Sequence, residues 1–134
     1  MCNYGFPYKI GRFLRKEWVK SGVVRPIAFL PRDPDKYPDQ SIEVSCFEIQ
    51  GLTEEQVFVI ADENTPPILL NNKPPTGYCA FHQTDFPHGV LELDFNDSPS
   101  RHANIIGWPR NKEDWAELAQ HLAEKASNEI ILRP

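Results

Sequence analysis

Long apolar runs are missing from this 134-residue chain, the longest unbroken one being the five residues at 57–61. A bilayer crossing needs roughly 18 apolar residues, so no membrane partner is expected. Cysteine is scarce too: Cys2, Cys46 and Cys79 form an odd, widely spaced set without a CxxC pair. That excludes a disulfide scaffold and fits reduced thiols in a cytoplasmic compartment. Neither an apolar leader core near the start nor a prenylation box at the end is visible, so export and lipid anchoring are not expected. A glycine-rich phosphate loop, a GxSxG elbow and an HExxH helix are absent as well, which removes their reaction classes from first consideration.

Proline is abundant instead, with 13 residues against 7 glycines, about twice the usual ~5% share. Most prolines fall between apolar segments, so they stiffen connections and do not signal disorder. With 40% apolar and 25% charged residues, one domain spanning 1–134 is expected, since single domains cluster near ~100–150 residues.

The net charge of −5 is unevenly divided. Residues 1–36 carry eight basic and three acidic groups, a local +5, while residues 37–134 carry six and sixteen, a local −10. An acidic total argues against a dedicated duplex-DNA binder. The basic segment leaves open a nucleic-acid contact through residues 9–25, or simple pairing against the acidic remainder.

Ile10, Phe13, Leu14 and Trp18 recur at helical spacing with Arg12, Arg15, Lys16 and Lys20 around them, which predicts a short basic helix; the same residues could instead form the first arm of a hairpin turning at Ser21-Gly22. Strands are expected over 23–30 and 42–49, with an irregular Pro-rich loop at 31–40. Thr53-Glu54-Glu55-Gln56 is a capping box that predicts a helix from 54 to about 62. A brief strand at 68–71 and a rigid loop at 72–76 follow. Segments 78–83, 90–95 and 103–108 read as neighbouring strands. After Asn111 as N-cap, Trp115, Leu118, Ala119, Leu122, Ala123 and Ala126 define an amphipathic helix over 111–127. Residues 130–132 are expected to close the sheet as an edge strand. The fold class is therefore α+β, a mixed or antiparallel sheet with the C-terminal helix on one face.

Candidate chemistry is sparse. Cys79, His82, Asp85 and His88 have loosely metal-like spacing, but no two sit on one rigid turn, and Cys79 and His82 would face opposite sides of a strand; no metal or cofactor is assigned. Glu92 and Asp94 share a strand face that is ordinarily just solvated. Arg25, Ser41, Ser45 and Glu92 are similar in order to groups of ADP-ribosyltransferases, yet the aromatic and Ser-Thr-Ser contexts are missing, and nothing is carried over. The stretch 97–109 places Arg101, His102 and Asn104 at a strand entrance, with His102 and Asn104 on one face. That face could bind an anion or a backbone, or His102 could simply lock the turn.

The set Arg12, Trp18, Gly22, Ala28-Phe29-Leu30-Pro31, Ser41-x-x-Val44, Thr53-x-Glu55, His102-Ala103-x-x-Ile106 and Leu118-Ala119 resembles small bacterial proteins of similar length. The resemblance implies a compact α+β unit of prokaryotic type and attaches no activity to it. With no convergent catalytic set, no catalytic residue is assigned, and the expected function is a non-catalytic cytoplasmic binding or regulatory subunit docking on a protein partner in a multi-component system. Its binding candidates are Arg12, Arg15, Lys16, Trp18, Arg101, His102 and Asn104. The alternatives are a nucleic-acid accessory protein using the basic segment, and a small hydrolase or transferase gathering His102, Arg101 and Glu92.

Overall fold

A computed structural model describes residues 8–36, 38, 41–64, 75–87, 89–96 and 101–133. Among the described residues, eight strands and two α-helices build an α+β domain: β1 (Lys9–Leu14), β2 (Val19–Lys20), β3 (Val23–Val24), β4 (Val44–Glu48), α1 (Glu54–Asn64), β5 (Gly77–His82), β6 (Glu92–Phe95), β7 (His102–Ile106), α2 (Trp115–Ala126) and β8 (Ile130–Leu132). Six strands form one antiparallel sheet in the order β6-β7-β4-β1-β5-β8. Helix-bearing layers cover both of its faces.

The segment predicted as a basic helix is strand β1, at the centre of the sheet. Its apolar residues mimic helical spacing because both of its faces are buried. Ile10 and Leu14 enter the larger core, while Phe13 packs with the cluster on the opposite face. Gly11 keeps that second face open, since a Cβ there would press on Ile49 at 3.1 Å. The hairpin turn at Ser21-Gly22 is present, but its arms are only β2 and β3. Ser21 and Gly22 both have positive φ, 55° and 76°, as a two-residue hairpin loop of the right twist requires.

Of the strand expected over 23–30, only β3 forms; Pro26–Phe29 is a 3-10 turn that drops Ala28 and Phe29 into the core. Helix α2 lies over the same face, burying Trp115, Ala119, Leu122, Ala123 and Ala126 against Ile10, Leu14, Cys46, Phe81 and Ile105. Each large apolar side chain so buried contributes about 1.5–3 kcal/mol. Ser127 links this layer to the hairpin: its Oγ donates to the Ala123 carbonyl at 2.7 Å and accepts from Val24 N–H at 2.9 Å. Asn111 caps the 3-10 turn leading into α2, accepting from Glu113 N–H at 3.1 Å.

On the other face, Val57 of α1 packs with Phe47, Ile49, Tyr78 and Ala80. The capping box closes reciprocally, with Thr53 N–H on Gln56 Oε1 at 2.9 Å and Gln56 N–H on Thr53 Oγ1 at 3.2 Å. Strands β6 and β7 are neighbours, whereas β5 lies two strands away beyond β4 and β1, so the expected trio is split. β8 is an edge strand. The strand expected at 68–71, most of the loop at 72–76 and the turn residues 97–100 lie outside the described residues.

Candidate active site

Strands β4 and β7 pair so that Ser45 stands opposite Asn104 and Phe47 opposite His102. Strand alternation puts all four on one face. There, Ser45 Oγ lies 2.7 Å from His102 Nε2, and His102 Nδ1 lies 2.7 Å from Asn96 Oδ1, just beyond β6. Asn96 Oδ1 can only accept, so it selects the Nδ1–H tautomer of a neutral imidazole. The Nε2 lone pair is then free to accept the Ser45 hydroxyl proton. Phe47 holds the ring edge-on, with centroids 5.2 Å apart at 76°.

Partial burial lowers the His102 pKa below its ordinary 6.5, with the Glu43 carboxylate opposing the shift. The imidazole is therefore neutral at pH 7, as a general base must be. A hydroxyl, a base and a group orienting that base, each within hydrogen-bond reach of the next, are the parts of an activated nucleophile.

Beside Ser45 the sheet opens. β1 and β4 are paired only at Ile10↔Glu48 and Gly11↔Phe47, and beyond that point the side chain of Arg12 occupies the gap. Its Nη1 donates to the Ser45 carbonyl at 2.8 Å and its Nε to the Ala28 carbonyl at 2.9 Å. A cleft of about 360 Å³ follows, lined by Arg12, Arg32, Ser41, Glu43, Ser45 and Asn104 among others. Asn104 is only 8% exposed, and it borders the cleft directly across from Ser45.

Burial lowers the Arg12 pKa, with Cys46 and Cys79 pulling it back up and Arg15 and Arg32 adding to the fall. Burial also pushes both thiols up to about 12 despite the nearby guanidinium, so they are uncharged and not nucleophilic at pH 7.

The other residues singled out from the sequence are placed differently. Arg101 turns away from His102 and pairs with the buried Glu48, Nη1 to Oε2 at 2.6 Å. Glu92 lines a separate hollow of about 430 Å³ with Gln83, Phe86 and Leu93. The His102, Arg101 and Glu92 constellation is thus not assembled. Arg12 and Arg15 both lie over the Trp18 ring, at 5.2 and 5.4 Å from its centroid, and Lys16 is exposed beside them. Lys9 pairs with Glu129 at 2.6 Å, and Arg25 donates to the Glu17 carbonyl at 3.0 Å. The Lys9–Glu129 pair thus joins the basic segment to the acidic remainder, whereas Asp33 and Asp35, acidic groups of the basic segment, both hold Lys112 and pair in the opposite sense.

Cys79 is buried and His82 exposed, and His88 lies outside the described residues. Among the described residues no three His, Cys, Asp or Glu groups converge as a metal site, and no helix is long and apolar enough to cross a membrane. Ser45 and Asn96 were not singled out together with His102 in the sequence. The available signal was Ser45 as a polar residue between buried neighbours on a strand; Asn96 offered none. No protein-family model, curated protein or solved structure matches the chain.

Proposed function

We propose that this protein is a small serine-dependent hydrolase of esters, in which Ser45 is the nucleophile, His102 the general base and acid, and Asn96 the group that orients the imidazole. The Ser45–His102–Asn96 chain of 2.7 Å contacts carries the reading. In the first step Ser45 Oγ bonds to the acyl carbon and its proton passes to His102 Nε2. The Asn104 amide, paired opposite Ser45 on β7 and on the same face, is the candidate donor to the resulting oxyanion. Collapse breaks the ester C–O bond, and the leaving alkoxide takes the proton from Nε2. Water then attacks the acyl-Ser45 ester, giving its proton to Nε2; that proton returns to Ser45 as the acid departs. Because Asn96 is neutral, it orients the ring without stabilising the imidazolium charge, so turnover is modest compared with a carboxylate-backed triad.

The test is hydrolysis of p-nitrophenyl butyrate together with labelling by a fluorophosphonate. The wild-type chain releases p-nitrophenol with an initial burst and carries the label on Ser45. Ser45→Ala loses both, and His102→Ala loses roughly 10²-fold or more in rate. Wild-type turnover equal to that of Ser45→Ala, with no label on Ser45, overturns the proposal. The docking subunit expected from the sequence rests on the lack of a convergent catalytic set, the small size and the uneven charge, and it gives the hydroxyl–imidazole pair no task.

A further inference from the structure

The uneven charge of the sequence separates across the sheet. Trp18, Val19, Val24, Ala28 and Phe29 pack into the cluster beneath α2, so the basic segment that carries them covers that face. Arg12, in step with Ile10 and Leu14 on β1, belongs to the same side. Ser45 and His102 stand on the other face, and the strands around them, β4, β6 and β7, contain no lysine or arginine. Helix α1, which packs on that face, carries Glu54, Glu55, Asp62 and Glu63 and no basic residue. Of these four, Asp62 alone has an ion-pair partner among the described residues, Arg133.

Two further carboxylates flank the serine. Asp94, Asn104 and Ser45 form one row across β6, β7 and β4, and Leu93 and Phe95 pack toward the α2 side, which leaves exposed Asp94 on the face of Ser45. Glu43 precedes Ser45 by two residues, borders the cleft with Ser45 and Asn104, and acts on the charge of His102. Neither Asp94 nor Glu43 has an ion-pair partner among the described residues. The side chain of Asn104, a residue only 8% exposed, has no hydrogen-bond partner among them either, although a buried amide ordinarily has one.

Resting on the hydrolase reading, we propose that the esters this site prefers are cationic, with an organic ammonium group held by Asp94 and Glu43 while Asn104 meets the ester oxygen. Strands about 4.8 Å apart and a rise of about 3.3 Å per residue put each carboxylate roughly 7–10 Å from Ser45. An ammonium a few bonds from the scissile carbonyl comes within range of both while the carbonyl meets Ser45. The negative field of the whole face concentrates such a substrate and repels anionic esters. A bare metal ion fits less well, since it needs several converging oxygen ligands and no three such groups converge among the described residues.

The experiment compares butyrylcholine with 3,3-dimethylbutyl butyrate, which replaces the ammonium by an uncharged carbon of the same shape, both followed by acid release at constant pH. The wild-type chain prefers butyrylcholine about tenfold in kcat/KM, and the preference shrinks with added salt. Asp94→Asn and Glu43→Gln each lower it severalfold and together bring the ratio toward one, while Asp94→Asn leaves turnover of p-nitrophenyl butyrate unchanged. Binding is read separately by NMR shifts of Ser45→Ala titrated with butyrylcholine and, in a parallel series, with Mg²⁺. Saturable butyrylcholine binding that is lost in Ser45→Ala/Asp94→Asn/Glu43→Gln supports the cation site even if ester turnover fails. A ratio near one with no saturable binding overturns it, and tighter binding of Mg²⁺ than of butyrylcholine overturns the choice of an organic cation.

Discussion

Removing Arg101 should strand a buried charge. The Glu48 side chain is 1% exposed, with Oε2 on Arg101 Nη1 at 2.6 Å and Oε1 accepting Gln50 N–H at 2.6 Å. Taking away one member of a buried pair costs about 3–5 kcal/mol, mostly the penalty of the charge left behind. Gln50 still bonds Glu48, so Arg101→Met belongs at the lower end, about 3 kcal/mol. Methionine is chosen because Arg101 sits at φ 69°: both side chains meet the same left-handed strain, which cancels in the comparison. Burial already raises the Glu48 carboxyl above its ordinary range, with the Gln50 N–H and Arg101 pulling it back only in part. The folded state therefore holds the Glu48 proton more tightly than the unfolded chain, and stability from this group declines as pH rises through the folded pKa. In Arg101→Met the carboxyl rises further, so the loss is larger near about pH 7.5 than near about pH 5, because Glu48 takes up its proton more readily on the acid side. Urea unfolding of the wild type, Arg101→Met, Glu48→Gln and the double variant at both pH values measures this. The double variant should recover about 2 kcal/mol relative to Arg101→Met at the higher pH, because the uncompensated charge is gone. A loss under about 1 kcal/mol, an equal loss at both pH values, or no recovery in the double variant would refute the reasoning.

Three further outcomes are expected. The acid limb of the hydrolase pH profile should fall at a pKa below about 6.5, since His102 must be neutral and burial disfavours its charged form; Asn96→Asp should move that limb upward, and a limb at or above 6.5 in the wild type would count against a half-buried base. Thr53→Ala should cost about 1 kcal/mol in thermal or urea unfolding through loss of the α1 cap, with no change in ester turnover. Gly77→Ala should cost about 1–3 kcal/mol in urea unfolding, because a Cβ there runs into the Ile131 carbonyl and the Leu132 Cα at 2.9 Å; wild-type stability would show that β8 can shift at no cost.

Local chemistry was readable where neighbours in sequence are neighbours in space. Helix α2 followed from its apolar recurrence, the start of α1 from Thr53 and Gln56, and the tight turn from Ser21-Gly22. β1 was misread because a strand buried on both faces loses its period of two, and Ile10, Phe13 and Leu14 then imitate a helical stripe. The site was half visible: His102 and Asn104 were placed on one face, which the pairing with β4 keeps. What makes them reactive could not be read locally, because Ser45 reaches His102 across 57 positions of sequence. Arg101 was grouped with His102 by adjacency, and strand alternation sends the two to opposite faces.

The central position of β1 bears on how the chain acquires its shape. This strand precedes all the others, yet its partners β4 and β5 come from well downstream, and the helix that covers it comes later still. Loop closure must precede any reward from such distant pairings, which places folding toward the slower end for a domain of this size. The serine and the imidazole meet only when β4 closes on β7 across 57 positions of sequence. Fluorophosphonate labelling of Ser45 during refolding would thus report that closure, not early collapse.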